Sequence, residues 1–142
     1  MKGIIFDVDG TLWDSVEVVA ESWNLAIKEN SDLEPNLNRE ILQGLFGKTM
    51  DEIATGVFPN LDPDSRRKLM DICFDYENRY LETHPGVYYE GVMDTLKELA
   101  LEYPLFIVSN CQCGYIEVMM KGAGMEPYIK DFLCFGQTQT SK

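Results

Sequence analysis

Apolar residues change spacing along this chain in a way that separates strands from helices. Residues 3 to 8, Gly-Ile-Ile-Phe-Asp-Val, form a nearly unbroken apolar run, which predicts a strand covered on both faces as in a parallel sheet. Asp9-Gly10 ends it, because both residue types favour turns. From residue 16 the period becomes helical: Val16, Val19, Ala20, Trp23, Ala26 and Ile27 make one apolar stripe running to Asn30, with Asp14 or Ser15 available as the cap. A polar stretch containing Pro35 precedes a second helix expected from Asn38 through Ile41, Leu42 and Leu45 to a stop at Gly47. Thr49 and Glu52 have the spacing of a capping box for a short third helix. Asp62-Pro63 opens a fourth, with Leu69, Ile72, Cys73, Tyr76 and Tyr80 predicted on its apolar side.

His84-Pro85-Gly86 punctuates a return to alternating elements. A helix marked by Val92, Leu96 and Leu99 ends at Tyr103-Pro104, and Leu105-Phe106-Ile107-Val108 reads as a second buried strand ending in Ser109-Asn110. A helix over about 114 to 121, stopped by Gly122 and Gly124, leads to a third strand at 131 to 135. Strand, helix, strand, helix, strand from residue 86 onward calls for parallel pairing. The expected fold class is therefore α/β: a Rossmann-like parallel-sheet core built from 1–14 and 83–142, with 15–82 inserted as a helical cap.

Charge narrows the function. With 24 acidic and 12 basic side chains the formal charge is -12, which disfavours a nucleic-acid partner. No apolar run has the length of a membrane span, no signal peptide is apparent, and the expected location is the cytoplasm. The four cysteines, Cys73, Cys111, Cys113 and Cys134, read as buried free thiols rather than a disulfide framework or a zinc site.

The acidic residue within the first apolar run demands an explanation. Asp7 and Asp9 sit where open parallel sheets bind ligands, past the carboxyl end of a strand. Two such carboxylates repel unless a cation neutralises them or they share a proton. A magnesium ion meets that need and also offsets phosphate charge, so one carboxylate can attack phosphorus while the other exchanges a proton. Ser109 and Asn110 end the second strand run, where a hydroxyl and backbone amides could cradle phosphoryl oxygens, although the same pair makes an ordinary turn. Lys142 follows the third run and, on spacing alone, reads equally well as a solvated terminal lysine. Gly47-Lys48 in a cap loop could present a positive charge to an anionic substrate. His84 reads as a turn residue, and Trp13 and Trp23 as packing between cap and core.

Phe6-Asp7-Val8-Asp9-Gly10-Thr11-Leu12 resembles the first motif of the haloacid dehalogenase-like hydrolase superfamily, and Asp14-Ser15 behind it is similar to the branch containing phosphoglycolate phosphatase and beta-phosphoglucomutase. The resemblance implies a magnesium-dependent phosphatase acting on a small phosphorylated metabolite, or alternatively a sugar phosphomutase or a non-catalytic fragment. It casts Asp7 as the nucleophile and Asp9 as the general acid and base, both at the metal, with Ser109, Asn110 and Lys142 on the phosphate and Gly47 and Lys48 choosing the substrate. The family's fourth, acidic motif has no counterpart before Lys142. The expectation is a chain lacking the C-terminal part of its core, with weak or no turnover alone and a first strand exposed as an edge open to self-association.

Overall fold

The computed structural model describes residues 2–142. Three strands, β1 (Ile4–Phe6), β4 (Leu105–Ser109) and β5 (Asp131–Cys134), form a parallel sheet in the order β1-β4-β5. Phe6 pairs with Ile107 and Ser109 with Cys134, so the carboxyl ends of all three strands emerge on one side. Helices α5 (Val92–Ala100) and α6 (Tyr115–Ala123) make the crossovers that parallel pairing requires. Between β1 and the rest of the sheet stand four helices, α1 (Val16–Asn30), α2 (Arg39–Gln43), α3 (Met50–Val57) and α4 (Pro63–Thr83). The fold is thus the expected Rossmann-like core with a helical cap.

Two separate hydrophobic clusters organise it. Val19, Trp23, Leu42, Phe58, Met70 and Cys73 pack among the cap helices, while Val8, Trp13, Leu96, Ile107, Ile116 and Met119 pack around the sheet. Trp13 and Trp23 therefore each serve one cluster rather than bridging the two. Local capping follows the sequence closely. The Thr49 and Glu52 box is reciprocal, with the Glu52 carboxylate accepting from Thr49 N at 2.8 Å and the Thr49 hydroxyl accepting from Glu52 N at 3.3 Å. Asp62 accepts from Ser65 N at 3.0 Å to start α4. At α1 it is Asp14, and not Ser15, that accepts a first-turn amide, Val16 N, at 3.1 Å.

Several expectations need correction. β1 pairs with β4 alone and Ile5 is 67% exposed, so the first apolar run is not covered on both faces but forms the exposed sheet edge that was also expected. The segment after Gly86 does not join the parallel sheet: β3 (Val87–Tyr88) pairs antiparallel with β2 (Trp13–Asp14). That ribbon closes the base of the cap at its two connections, and it excludes a side chain at Gly86, where a Cβ would lie 2.9 Å from Asp14 O. The buried stripe of α4 is rotated from the predicted one: Leu69, Met70, Cys73, Phe74, Glu77 and Leu81 face inward, and Ile72, Tyr76 and Tyr80 flank them. α6 continues through Gly122 and stops at Gly124, which takes φ +69. β5 stops at Cys134, one residue short of the expected strand, and a short helix, α7 (Phe135–Thr138), follows it. Cys113 is exposed and Cys111 only half-buried, so not all the thiols are core residues.

Candidate active site

β1 ends at Phe6, which leaves Asp7 as the first residue beyond the sheet. Val8 then turns into the core, and Gly10, at φ +76, folds the chain back so that its amide donates to Trp13 O at 3.0 Å. Asp7 and Asp9 are held on either side of this anchored valine and feel each other's charge.

Their surroundings differ. The Asp7 side chain is 43% exposed, and its Oδ1 accepts from Val8 N at 2.9 Å and from Lys142 Nζ at 2.5 Å. Among the described residues its Oδ2 has no partner. Asp9 is turned under the cap helices, where burial pushes its carboxyl up to about 6, against a hydrogen bond from the Tyr115 phenol and with a further upward push from Asp7. When Asp9 is ionised the phenol proton belongs to Asp9, so Trp13 Nε1 at 3.2 Å and Ser15 Oγ at 2.7 Å both donate to the phenol oxygen. Two donors aimed at that oxygen strengthen its own donation to Asp9. Tyr115→Phe is expected to raise the Asp9 titration point by about one unit in the metal-free protein, read by NMR titration of the carboxyl carbon; an unchanged midpoint would show that the phenol does not hold the carboxylate.

A second string of contacts runs from the cap to Asp7. Asn110, just past β4, donates from Nδ2 to Gly47 O at 2.8 Å and accepts the Lys142 amide on Oδ1 at 3.0 Å. Gly47 takes φ +88 in this loop, a conformation that disfavours any other residue. Lys142 in turn pairs with Asp7. Asp9, Gly47, Lys48, Ser109 and Asn110 all line one cavity of about 30 Å³ between cap and sheet, whereas Asp7 and Lys142 lie outside its wall. That space accommodates about one water molecule. His84 stands apart, stacked on Tyr80 with ring centroids 4.0 Å apart.

The cavity also contains residues that sequence reasoning missed. Glu77 of α4 is 3% exposed, and its carboxyl accepts from Trp23 Nε1 at 2.6 Å and Gln112 Nε2 at 3.1 Å. Burial pushes it up to about 8, opposed by those two hydrogen bonds and reinforced by the nearby Asp9 charge. The signal was available: Glu77 is an acid one helical turn from both Cys73 and Leu81, inside an apolar stripe, the same anomaly that singles out Asp7. Tyr115 and Gln112 carry no comparable pattern.

Among the described residues no group of three histidine, cysteine or acidic side chains is arranged to hold a metal. Asp7, with Oδ2 unpartnered among those residues, and the Asp9 backbone carbonyl are oxygen donors of the kind magnesium takes when waters and substrate phosphate oxygens fill the rest of its shell.

Comparison with known proteins sets this arrangement in context. Among curated proteins the sequence has no significant match. Among solved structures, the chain is similar to a predicted phosphoglycolate phosphatase of Haemophilus somnus, with a TM-score of 0.82 and 23% identity over 96% of this chain and 63% of that one. It is similar to a haloacid dehalogenase-like family protein of Streptococcus pneumoniae, with a TM-score of 0.75 and 21% identity over 94% and 61% of the two chains. A HAD-family protein of Bacillus subtilis bound to magnesium gives a TM-score of 0.64 and 24% identity over 97% and 66%. The chain thus spans less than two thirds of the length of each of these relatives. At such identities the likeness is one of fold, but the family model for haloacid dehalogenase-like hydrolases matches residues 4–142, and the chain belongs to that family.

Proposed function

We propose that this chain carries the nucleophile end of a magnesium-dependent phosphatase that hydrolyses a small-metabolite phosphate monoester through an aspartyl phosphate on Asp7. The observation that carries the reading is the Lys142 ammonium at 2.5 Å from an otherwise open Asp7 carboxylate, a contact made across 135 residues of sequence. A lysine there offsets the charge that a phosphate would bring against a carboxylate in a protein whose net charge is -12.

Asp7 Oδ2 attacks phosphorus, the ester oxygen departs, and Asp9 gives that oxygen its proton. Water then attacks the acyl phosphate, returns a proton to Asp9, and releases inorganic phosphate with Asp7 restored. The Ser109 hydroxyl and the Asn110 backbone amide are the groups assigned to the transferring oxygens, and Lys48 to the substrate's outer part. Asp7 and the Asp9 backbone carbonyl would hold magnesium, which supplies charge neutralisation at the phosphoryl oxygens when bound. The magnesium in the Bacillus subtilis relative supports this choice of ion. Residues 15–82 are placed to act as a lid, since Gly47 and Lys48 of that segment line one cavity with Asp9, Ser109 and Asn110.

Acid-quenched protein exposed to p-nitrophenyl phosphate and magnesium is expected to carry one phosphoryl group on Asp7, seen by mass spectrometry and removed by hydroxylamine. Failure to trap it during measurable phosphate release, or its appearance on another residue, would overturn the reading.

A further inference from the structure

Three of the four cysteines converge at the carboxyl ends of β4 and β5, away from Cys73 in the cap cluster. Cys111 and Cys113 lie in the loop that follows Ser109 and Asn110, and Cys134 closes β5 directly opposite Ser109. The sulfurs of Cys134 and Cys113 are 3.8 Å apart. Cys134 Sγ also accepts the backbone amide of Gln137 in the first turn of α7, and Cys111 is close enough to perturb it. Gly136 brings the two segments into contact: its amide donates to Cys111 O at 3.2 Å, and a Cβ there would lie 2.7 Å from both N and Sγ of Cys113. The three sulfurs do not constitute a metal-holding group among the described residues.

The members of the cluster have different access. Cys113 is exposed, whereas Cys134 is buried and surrounded by donors. The neighbouring Cys111 thiol and the Gln137 amide hold the Cys134 thiol below its ordinary value, against its burial, while burial and the Cys134 sulfur raise that of Cys113. An exposed thiol in contact with a buried one lets the first meet a small oxidant and the second resolve the adduct.

We propose that Cys113 and Cys134 form a reversible disulfide with low-molecular-weight disulfides as the oxidant, joining the Ser109-Asn110 loop to the segment that leads to Lys142. Deprotonated Cys113 attacks one sulfur of the small disulfide, forms a mixed disulfide and expels one small thiolate. Cys134 thiolate then attacks Cys113 Sγ and expels the second. Two protein thiols are oxidised, one small disulfide is reduced to two thiols, and the two protons lost by the protein end on those thiols. The sulfurs, 3.8 Å apart, have to close to about 2.05 Å for the bond to form. Such a bond would be of the transient, redox-responsive kind found where thiols are otherwise kept reduced.

The test needs no turnover and so stands apart from the phosphatase reading. The full chain is equilibrated with oxidised and reduced glutathione mixtures, blocked with an alkylating agent, and mapped by mass spectrometry. Alkylatable thiols are expected to fall from four to two per chain, with a Cys113–Cys134 linked peptide that dithiothreitol releases. Cys113→Ser, at an exposed position, should abolish the link, and Cys73→Ser should leave it intact. Stable glutathione on Cys113 without the link, a Cys111–Cys134 link in its place, or four alkylatable thiols throughout would each overturn the proposal.

Discussion

Asp7→Asn is expected to reduce to background whatever magnesium-dependent phosphate release the protein shows, because on the proposed route an amide oxygen cannot form the acyl phosphate. The change keeps the side chain's shape, and the Val8 amide can still donate to the remaining carbonyl oxygen. What is lost structurally is the ion pair with Lys142, whose partners are 33% and 43% exposed. Such a pair contributes no more than about 1 kcal/mol, so the melting temperature should move little. A large loss of rate without a loss of fold separates a nucleophile from a framework residue. Retention of most of the wild-type rate by a folded Asp7→Asn protein would remove the aspartyl-phosphate route.

The second large effect concerns pH and the buried acid of the cap. Glu77 titrates near 8 in the folded protein against an ordinary value of 4.5, so between those values the folded state holds a proton that the unfolded state has released. Stability from this residue is therefore greatest below about 4.5 and falls as the pH rises through 8. Glu77→Gln removes the ionisation while keeping the side chain's size. The stability of the variant relative to wild type is expected to grow by about 4 kcal/mol between pH 4 and pH 9, measured by urea unfolding across that range. Taking the difference isolates residue 77, because Asp9 and the thiols titrate in both proteins. Parallel curves would mean that Glu77 ionises in the folded state as easily as in the unfolded one.

The sequence was most legible where a single chemical rule acts over a few residues. The capping box at Thr49 and Glu52, the Asp62-Pro63 helix start, and the αL stop at Gly124 all depend on neighbours within one turn. The α/β alternation was equally visible, since β4 and its flanking helices differ in apolar period. The β2 and β3 pairing was not, because two residues per strand are too few to show alternation and their register depends on a partner more than seventy residues away. The face of α4 was misjudged for a related reason: Glu77 is buried by bonds to Trp23 and Gln112, which replace the water an acid normally keeps. At the site, residue types and strand ends pointed to Asp7, Asp9, Ser109 and Asn110. The bridging of Gly47 to Lys142 by one asparagine side chain is a tertiary fact with no local trace.

That asparagine ties the Asp7 ion pair to the posture of the helices above it. Withdrawal of the Gly47 loop strips Asn110 of the acceptor that fixes its carboxamide plane, and the Lys142 amide then loses the oxygen that orients it. An ammonium group no longer steered toward Asp7 is free to leave it, so the ion pair is coupled to the position of the cap loop even though both of its partners stay in contact with solvent.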